Sequence, residues 1–565
     1  MPLRKEMHAG SLAIHAALAT GVGITVFIGW REFWFLTDDA FIAFRYVSNR
    51  MLGWGLVWNP PPFAPVEGYS SFLWVVLLEG VWRMTGVEPP AAANVMGLLF
   101  GYASLGLVAH LVMRMQLPKR MASVRTALLV GVLLATVSNR TFLTWLSSGL
   151  ETPLFNFCVL AWVTVGVVPA DRRGTGWILA LSASATCTAL TRPDGLLICA
   201  ATVVLIAVHL TLAERGLGLR GPRSWVGAAP LLLIALHVLW RRLTYGAWLP
   251  NTYYAKYTGA WPESGLRYLA CFVLEYGVWM WMLLCAMWAI RATIRRSCSL
   301  APVIRKHYAV ICVIATLSLH LVYYTFVIGG DHFEYRVYSH LVPLLFVSGA
   351  WLAARAVRAP AVALTLFATF VVVSWPLQWV HWRETHHIRD LRQVMQFYRP
   401  IAPHFPVVLR PLVHRWDGWQ LWLVRHHVGL RHMQHRAFYE NQVAQLPSRE
   451  EGSRIRWQQR AVHAHTAVGV RGWVLPEVAI IDLFGLNDRV IARSPIQAFA
   501  ERHMAHDRSP PPGYVGCFRP NLDILNGTIQ LRHRAQPLTD ERIRACESRD
   551  WFSDLPGGTR TSGGP

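Results

Sequence analysis

Charge is scarce in this chain. Asp, Glu, Lys and Arg make up 15% of its 565 residues, against 53% hydrophobic residues and a mean hydropathy of +0.31. A soluble chain of this length carries nearer 25% charge, spread over several domains, so a wholly soluble protein is excluded. Lysine is rarer still, confined to Lys5, Lys119, Lys256 and Lys306, with arginine used almost everywhere else. The nine cysteines show no Cys-x-x-C and no Cys/His spacing of the zinc or iron–sulfur kind. Cys158, Cys187, Cys199, Cys271, Cys285 and Cys312 lie in apolar runs, where cysteine acts as a small hydrophobe. Cys298 sits in a basic loop. Only Cys517 and Cys546 fall in the tail, where an extracytoplasmic location would let them pair.

What is present is apolar. The 26 Trp, 24 Phe and recurring runs long enough to cross a bilayer (about 20 residues) exclude disorder, fibrous structure and a small secreted fold. The runs extend from Ser11 to Pro376 and then stop. No small-residue cleavage site closes the first one, Ser11–Trp30, so an uncleaved first helix with its basic end in the cytoplasm is expected. The net charge of +22 does not imply DNA or RNA binding, because no basic–aromatic nucleic-acid motif accompanies it. Much of it lies in short loops, where Lys and Arg set topology. The remainder lies in an Arg- and His-rich tail suited to anionic lipid or an anionic glycan.

Ten apolar segments follow between residues 92 and 376, and their connecting loops alternate. One set carries Lys119/Arg120/Arg125, Arg172/Arg173, Arg215/Arg220/Arg223, Arg291/Arg295/Arg296 and Arg355/Arg358; the other, 139–153, 191–194, 246–264 and 329–338, carries carboxylates, Trp, Tyr and Pro. The positive-inside rule puts the first set in the cytoplasm. Residues 69–86 are apolar but contain Glu79 and Arg83, and counting them as a span would invert every later loop. A re-entrant or interfacial helix is expected there. The expected architecture is a polytopic α-helical membrane protein of about eleven spans over residues 1–376, with a long first outer loop at 31–68. An extracytoplasmic mixed α/β domain follows over 377–565, with polar helices at 385–398 and 437–460 and a strand at Glu477–Leu483. The last dozen residues read as disordered.

The outer loops hold the chemistry. Asp38 and Asp39 are adjacent carboxylates at a membrane boundary, costly unless paired or used. With Thr37 or Asp38 capping a short helix, Asp38, Arg45 and Asn49 share one face. A carboxylate beside a fixed Arg suits deprotonation of a hydroxyl while a phosphate is held; a solvated cap with its salt bridge is the plainer alternative. The stretch Gly53–Ser71, rich in Pro and Gly, reads as an ordered loop whose Trp and Tyr side chains, Tyr69 among them, are either interface anchors or a sugar-stacking platform. Lys256, in Leu249-Pro-Asn251-Thr-Tyr-Tyr-Ala-Lys256, is the one lysine on the outer side and suits phosphate neutralisation. Asp331 and Arg336 are either functional edge charges or a structural pair. Arg192 and Asp194 fit a break between helices better than chemistry. Asp38, Asp39, Glu67, Glu151, Lys256, Asp331 and Arg336 all fall on one side under this topology.

Asp38-Asp39-Ala-Phe-Ile…Arg45-Tyr46 followed by Val66-Glu67-Gly-Tyr69-Ser-Ser71 resembles the first-loop signature of a GT-C-type bacterial membrane glycosyltransferase family. That family includes the mycobacterial terminal β-(1→2)-arabinofuranosyltransferase and related envelope proteins. The resemblance runs on through Gly149-Leu-Glu151-Thr-Pro153, Leu190-Thr-Arg192-Pro-Asp194-Gly195, Leu249–Lys256, Gly329-Gly-Asp331, Asp482-Leu-Phe-Gly485-Leu-Asn487-Asp488 and Met504–Arg508 with Pro511–Tyr514. It covers nearly the whole chain, each motif weak and their order specific. Ser70-Ser71-Phe72 stands where Thr-Ser-Pro is expected, Asn487 where Thr is common, and Asp331 is followed by His-Phe-Glu.

The resemblance implies transfer of a sugar from a polyprenyl-phosphate donor to an envelope polysaccharide or glycolipid, on the extracytoplasmic face of a bacterial inner membrane. It implies a first-loop Asp as the catalytic carboxylate, Asp38 before Asp39, and Arg45, Lys256 and Arg336 at the donor phosphate. Glu67, Tyr69, Glu151, Asn251 and Asp331 would contact sugar or acceptor. A divalent metal is left open, since some relatives use one at a carboxylate pair and others do not. A non-catalytic envelope or flagellar-motility factor on the same scaffold is the alternative. A transporter is not supported, for want of an inverted repeat of broken helices.

Overall fold

The computed structural model describes residues 2–168, 174–212, 226–294, 300–389, 399–496 and 502–553. Arg172, Arg173, Arg215, Arg220, Arg223, Arg295, Arg296, Cys298, most of the expected helix 385–398 and the last dozen residues lie outside them. The chain forms two compact units. One comprises residues 1–35, 93–234 and 260–434, the other 36–92, 235–259 and 435–565. The first outer loop and the segment 235–259 thus cluster with the C-terminal region, where the sequence suggests a boundary at 376.

Among its described residues the first unit is built of helices, with one isolated bridge between Phe333 and Leu430, as suits apolar chain in lipid, which must satisfy its own backbone. Among the described residues of the chain, four helices are long and apolar enough to cross a membrane: Pro89–Arg114, Lys119–Val137, Ile304–Ile328 and Pro360–Thr385. A bent pair, Pro262–Glu275 and Val278–Thr293, passes the same test as one interrupted span. Its 80° break sits at Gly277, whose φ of +60° ends the helix in the left-handed region. Thr152–Val167, Gly195–Thr211 and Leu341–Ala356 are apolar but shorter. Phe155, Trp162, Ile178, Leu181, Ala185, Leu205 and Val313 form a core among these helices. Helix Pro262–Glu275 approaches Tyr323–Ile328 so closely that a Cβ at Gly265 would lie 1.8 Å from the Thr325 carbonyl oxygen, a contact only glycine permits.

The second unit opens with helix Asp38–Met51, capped by Thr37, whose hydroxyl accepts from the Ala40 N–H at 3.2 Å. Helix Phe72–Thr85 spans 14 residues, about 21 Å and too short to cross a bilayer. Its buried Glu79 takes Arg50 at 2.9 Å and Arg83 at 2.8 Å. Strands β1 (Val462–His465) and β2 (Ala479–Asp482) pair in parallel around the short helix Gly469–Val474. The strand expected at Glu477–Leu483 is thus four residues long. Strands β3 (Leu522–Leu525) and β4 (Thr528–Leu531) form a hairpin whose turn is Asn526-Gly527, both at positive φ. Phe63, Val462, Ile481, Tyr514, Phe518 and Ile543 pack into its core, and Cys517 and Cys546 are joined in a disulfide. The helix expected over 437–460 is corrected to His432–Gln445 and Arg449–Gly452, separated by Pro447, with Ser448 opening a new capping box.

Candidate functional site

Helix Asp38–Met51 carries the sequence signature, and its buried face is gripped by distant chain of its own unit. Asp38 takes the backbone N–H groups of Gly469 at 3.0 Å and Val470 at 2.9 Å, one on each oxygen. It thereby satisfies the orphan donors at the start of helix Gly469–Val474. Burial pushes its carboxyl up to about 6, against the pull of those two hydrogen bonds; neighbouring Asp39 adds to the rise and Arg471 opposes it. Asp39, one residue on and about 100° around the helix, is half-buried. Its carboxylate has no hydrogen bond or ion pair among the described residues. Of the two, Asp39 is the one with its full acceptor capacity to offer a ligand.

Arg45 is fully buried and spends every donor. Nε donates to Trp58 O at 2.8 Å, Nη1 to Gly472 O at 2.8 Å and Leu475 O at 3.0 Å, and Nη2 to Val478 O at 2.7 Å and Asn59 Oδ1 at 3.5 Å. A guanidinium has five N–H groups, so these bonds occupy all of them and a phosphate at Arg45 would have to displace one. Asn49 lies on the same face as expected, donating to Val57 O at 2.8 Å and Trp58 O at 2.9 Å.

Asn251 is likewise occupied. Its amide donates to the carbonyls of Gly485, Leu486 and Asp488 at 2.8–3.1 Å, and its Oδ1 accepts from Arg493 at 3.2 Å, so it fastens the 485–488 turn rather than a sugar. Glu67 is buried against Arg241, 2.5 and 3.3 Å away in a bidentate pair. Burial pushes its carboxyl up to about 7 while Arg241 pulls it down. Tyr69 is buried with its hydroxyl 3.3 Å from that of Tyr245 and its ring edge-on to Tyr46, so it presents no open face for stacking. Lys256 is exposed at the end of helix Asn251–Lys256 and has no partner among the described residues.

In the first unit, Asp331 and Arg336 hold each other, Nε to Oδ2 at 2.9 Å and Nη2 to Oδ1 at 3.2 Å, with the guanidinium 4.2 Å over Phe333. Glu151 accepts from Arg192 at 3.3 Å. Arg192 also chelates Asp194, which takes His320 at 3.2 Å and the Tyr324 hydroxyl at 2.9 Å. Two further groups escaped the sequence reading. Arg140, Glu275, Glu334 and Arg431 form a closed, fully buried two-cation, two-anion network, in which directly bonded partners lie up to 194 apart in sequence. In the second unit Arg471, which acts on Asp38, bonds Gln442. Neither set carries a local motif. No group of three or more His, Cys, Asp or Glu that could hold a metal ion occurs among the described residues.

No protein-family model matches the chain, and no curated protein matches its sequence. Among solved structures, it is similar to the crystal structure of ArnT from Cupriavidus metallidurans bound to undecaprenyl phosphate. The two chains are 13% identical, with 84% of this chain and 86% of that one covered and a TM-score of 0.46. The apo crystal structure of the same protein gives 14% identity, the same coverage and a TM-score of 0.44.

Proposed function

We propose that the chain is an integral-membrane glycosyltransferase, moving a sugar from a polyprenyl-phosphate donor to an envelope polysaccharide or glycolipid on the extracytoplasmic face of a bacterial inner membrane. The observation that carries the reading is the division of labour in the Asp38-Asp39 pair: one carboxylate is committed to the fold and fixes the helix start, the other is left with its acceptor capacity unspent. Asp39 then takes the proton of the acceptor hydroxyl. The acceptor oxygen bonds the anomeric carbon, the carbon–oxygen bond to phosphate breaks, and polyprenyl phosphate leaves with the bonding pair. The departing charge on phosphate has to be stabilised by a cation held beside it. Arabinofuranose is the first sugar to try.

A second reading, a non-catalytic envelope or flagellar-motility factor, is favoured by Arg45, Glu67 and Asn251. Three motif residues satisfied wholly from within are what a scaffold would retain. Transfer in vesicles separates the two. Wild type and Asp39→Asn are incubated with labelled polyprenyl-phosphate arabinofuranose and extracted cell-wall acceptors, then with other lipid-linked sugars. Transfer by wild type that is lost in well-folded Asp39→Asn supports the enzyme; no transfer from any donor gives the lead to the scaffold.

A further inference from the structure

Helix Leu232–Tyr245 turns Leu236, Leu239 and Leu243 outward, at 58%, 49% and 77% exposure. Spaced three and four apart, they form one apolar strip. The chain then passes into Trp248, Tyr253 and Tyr257, also exposed, with the two tyrosines stacked 5.6 Å apart. Cations follow the same course: Arg242 lies 5.7 Å over the Trp248 ring, and Lys256 stands exposed between the tyrosines. Residues 242–259 contain no Asp or Glu.

This stretch is a fixed ledge. Arg508 donates to the carbonyls of Tyr254 and Tyr257 at 3.3 and 2.9 Å, Arg502 to the Gly259 carbonyl at 3.0 Å, and Arg493 stacks 4.1 Å from Tyr254. These clasps add positive charge, of which Arg502 is paired with the buried carboxylate of Asp507. Exposed apolar, amphipathic aromatic and cationic side chains side by side are the residue types that meet a membrane interface. Among the described residues neither Arg242 nor Lys256 has a carboxylate partner, and both are exposed; their complement comes from outside.

We propose that the ledge 242–259 lies in the membrane interface and binds the anionic headgroups of the surrounding phospholipid. Each cation near an anionic surface strengthens binding on the order of five-fold, and salt screens it. The full-length protein is placed in phosphatidylcholine nanodiscs doped with headgroup-photoactivatable phosphatidylglycerol or phosphatidylcholine, and labelling of the 242–259 peptide is quantified by mass spectrometry.

The expected result is a preference for phosphatidylglycerol that falls as salt rises. It drops roughly 25-fold in Arg242→Gln/Lys256→Gln and is kept in the charge-conserving Arg242→Lys/Lys256→Arg. That last variant shows the loss to be one of charge rather than of folding. Equal labelling by the two lipids, or a preference untouched by the glutamine pair, overturns the proposal. Displacement of the label by stoichiometric polyprenyl phosphate overturns it too, and gives the ledge to the donor lipid. The labelling needs no sugar transfer, so it stands or falls apart from the enzymatic reading.

Discussion

Arg45→Lys tests whether the most signature-like cation of the first outer loop serves the fold or the donor phosphate. The arginine satisfies four backbone carbonyls at 2.7–3.0 Å and one side-chain oxygen at 3.5 Å. Lysine keeps the charge but brings three donors on a single nitrogen. At least one buried carbonyl is stranded and the others are bonded in poorer geometry, at about 1–3 kcal/mol for each group left unsatisfied. The sum is about 2–4 kcal/mol in a unit of roughly two hundred residues, where about 2–4 °C of Tm is lost per kcal/mol. A fall of about 5–15 °C is therefore expected in the melting of the purified protein, followed by cleavage of the 435–553 region by protease during a thermal ramp. At a temperature where both proteins are folded, KM for the lipid-linked donor should be unchanged. Unchanged melting with a KM raised ten-fold or more would refute the reasoning and return Arg45 to the phosphate.

Asp39→Asn should abolish transfer with melting intact, whereas Asp38→Asn should lower stability, because an amide presents an N–H₂ to one of two backbone donors; vesicle transfer and thermal melting read the two effects. The cost of Asp38→Asn should be greater at pH 5 than at pH 8. The carboxyl is raised from 3.8 to about 6 on folding, so its contribution is fully present below 3.8 and lost as pH rises through 6. Replacing Cys517 and Cys546 by Ser, which opens a loop spanning a sequence separation of 29, should cost about 3–4 kcal/mol in denaturant melts of the C-terminal region. Glu79→Gln, which leaves Arg50 and Arg83 without their shared acceptor, should cost about 1–2 kcal/mol, read by the same melts.

The membrane class was legible because lipid demands long apolar helices whatever their partners. The lengths of individual helices were not, since the break at Gly277 depends on one backbone angle that composition does not announce. Within helix Asp38–Met51 the spacing of Asp38, Arg45 and Asn49 placed them on one face, and so they lie. What that face meets was hidden. Arg45 donates to carbonyls 427, 430 and 433 residues away, and Asp38 accepts from N–H groups 431 and 432 residues away. Backbone groups carry no side-chain signature, so a residue bonded to them looks the same in sequence as one waiting for a ligand. Lys256 differs: it has no acceptor among the described residues, and its oddity, an ammonium in a chain that prefers guanidinium, was visible from composition alone.

The same logic separates the two aspartates. A helix start with Thr37 already capping it needs one carboxylate to receive Gly469 and Val470, and Asp38 fills that need. Nothing in the fold of this unit requires a second carboxylate beside it. Asp39 raises the cost of ionising its neighbour and satisfies no backbone donor in return. A half-buried charge that opposes its neighbour and holds nothing among the described residues is the kind of residue a protein keeps for a ligand. If Asp39→Ala raises stability by relieving that repulsion while abolishing transfer, the carboxylate is there for chemistry. If it raises stability and transfer persists, the pair is a folding motif and the base lies elsewhere.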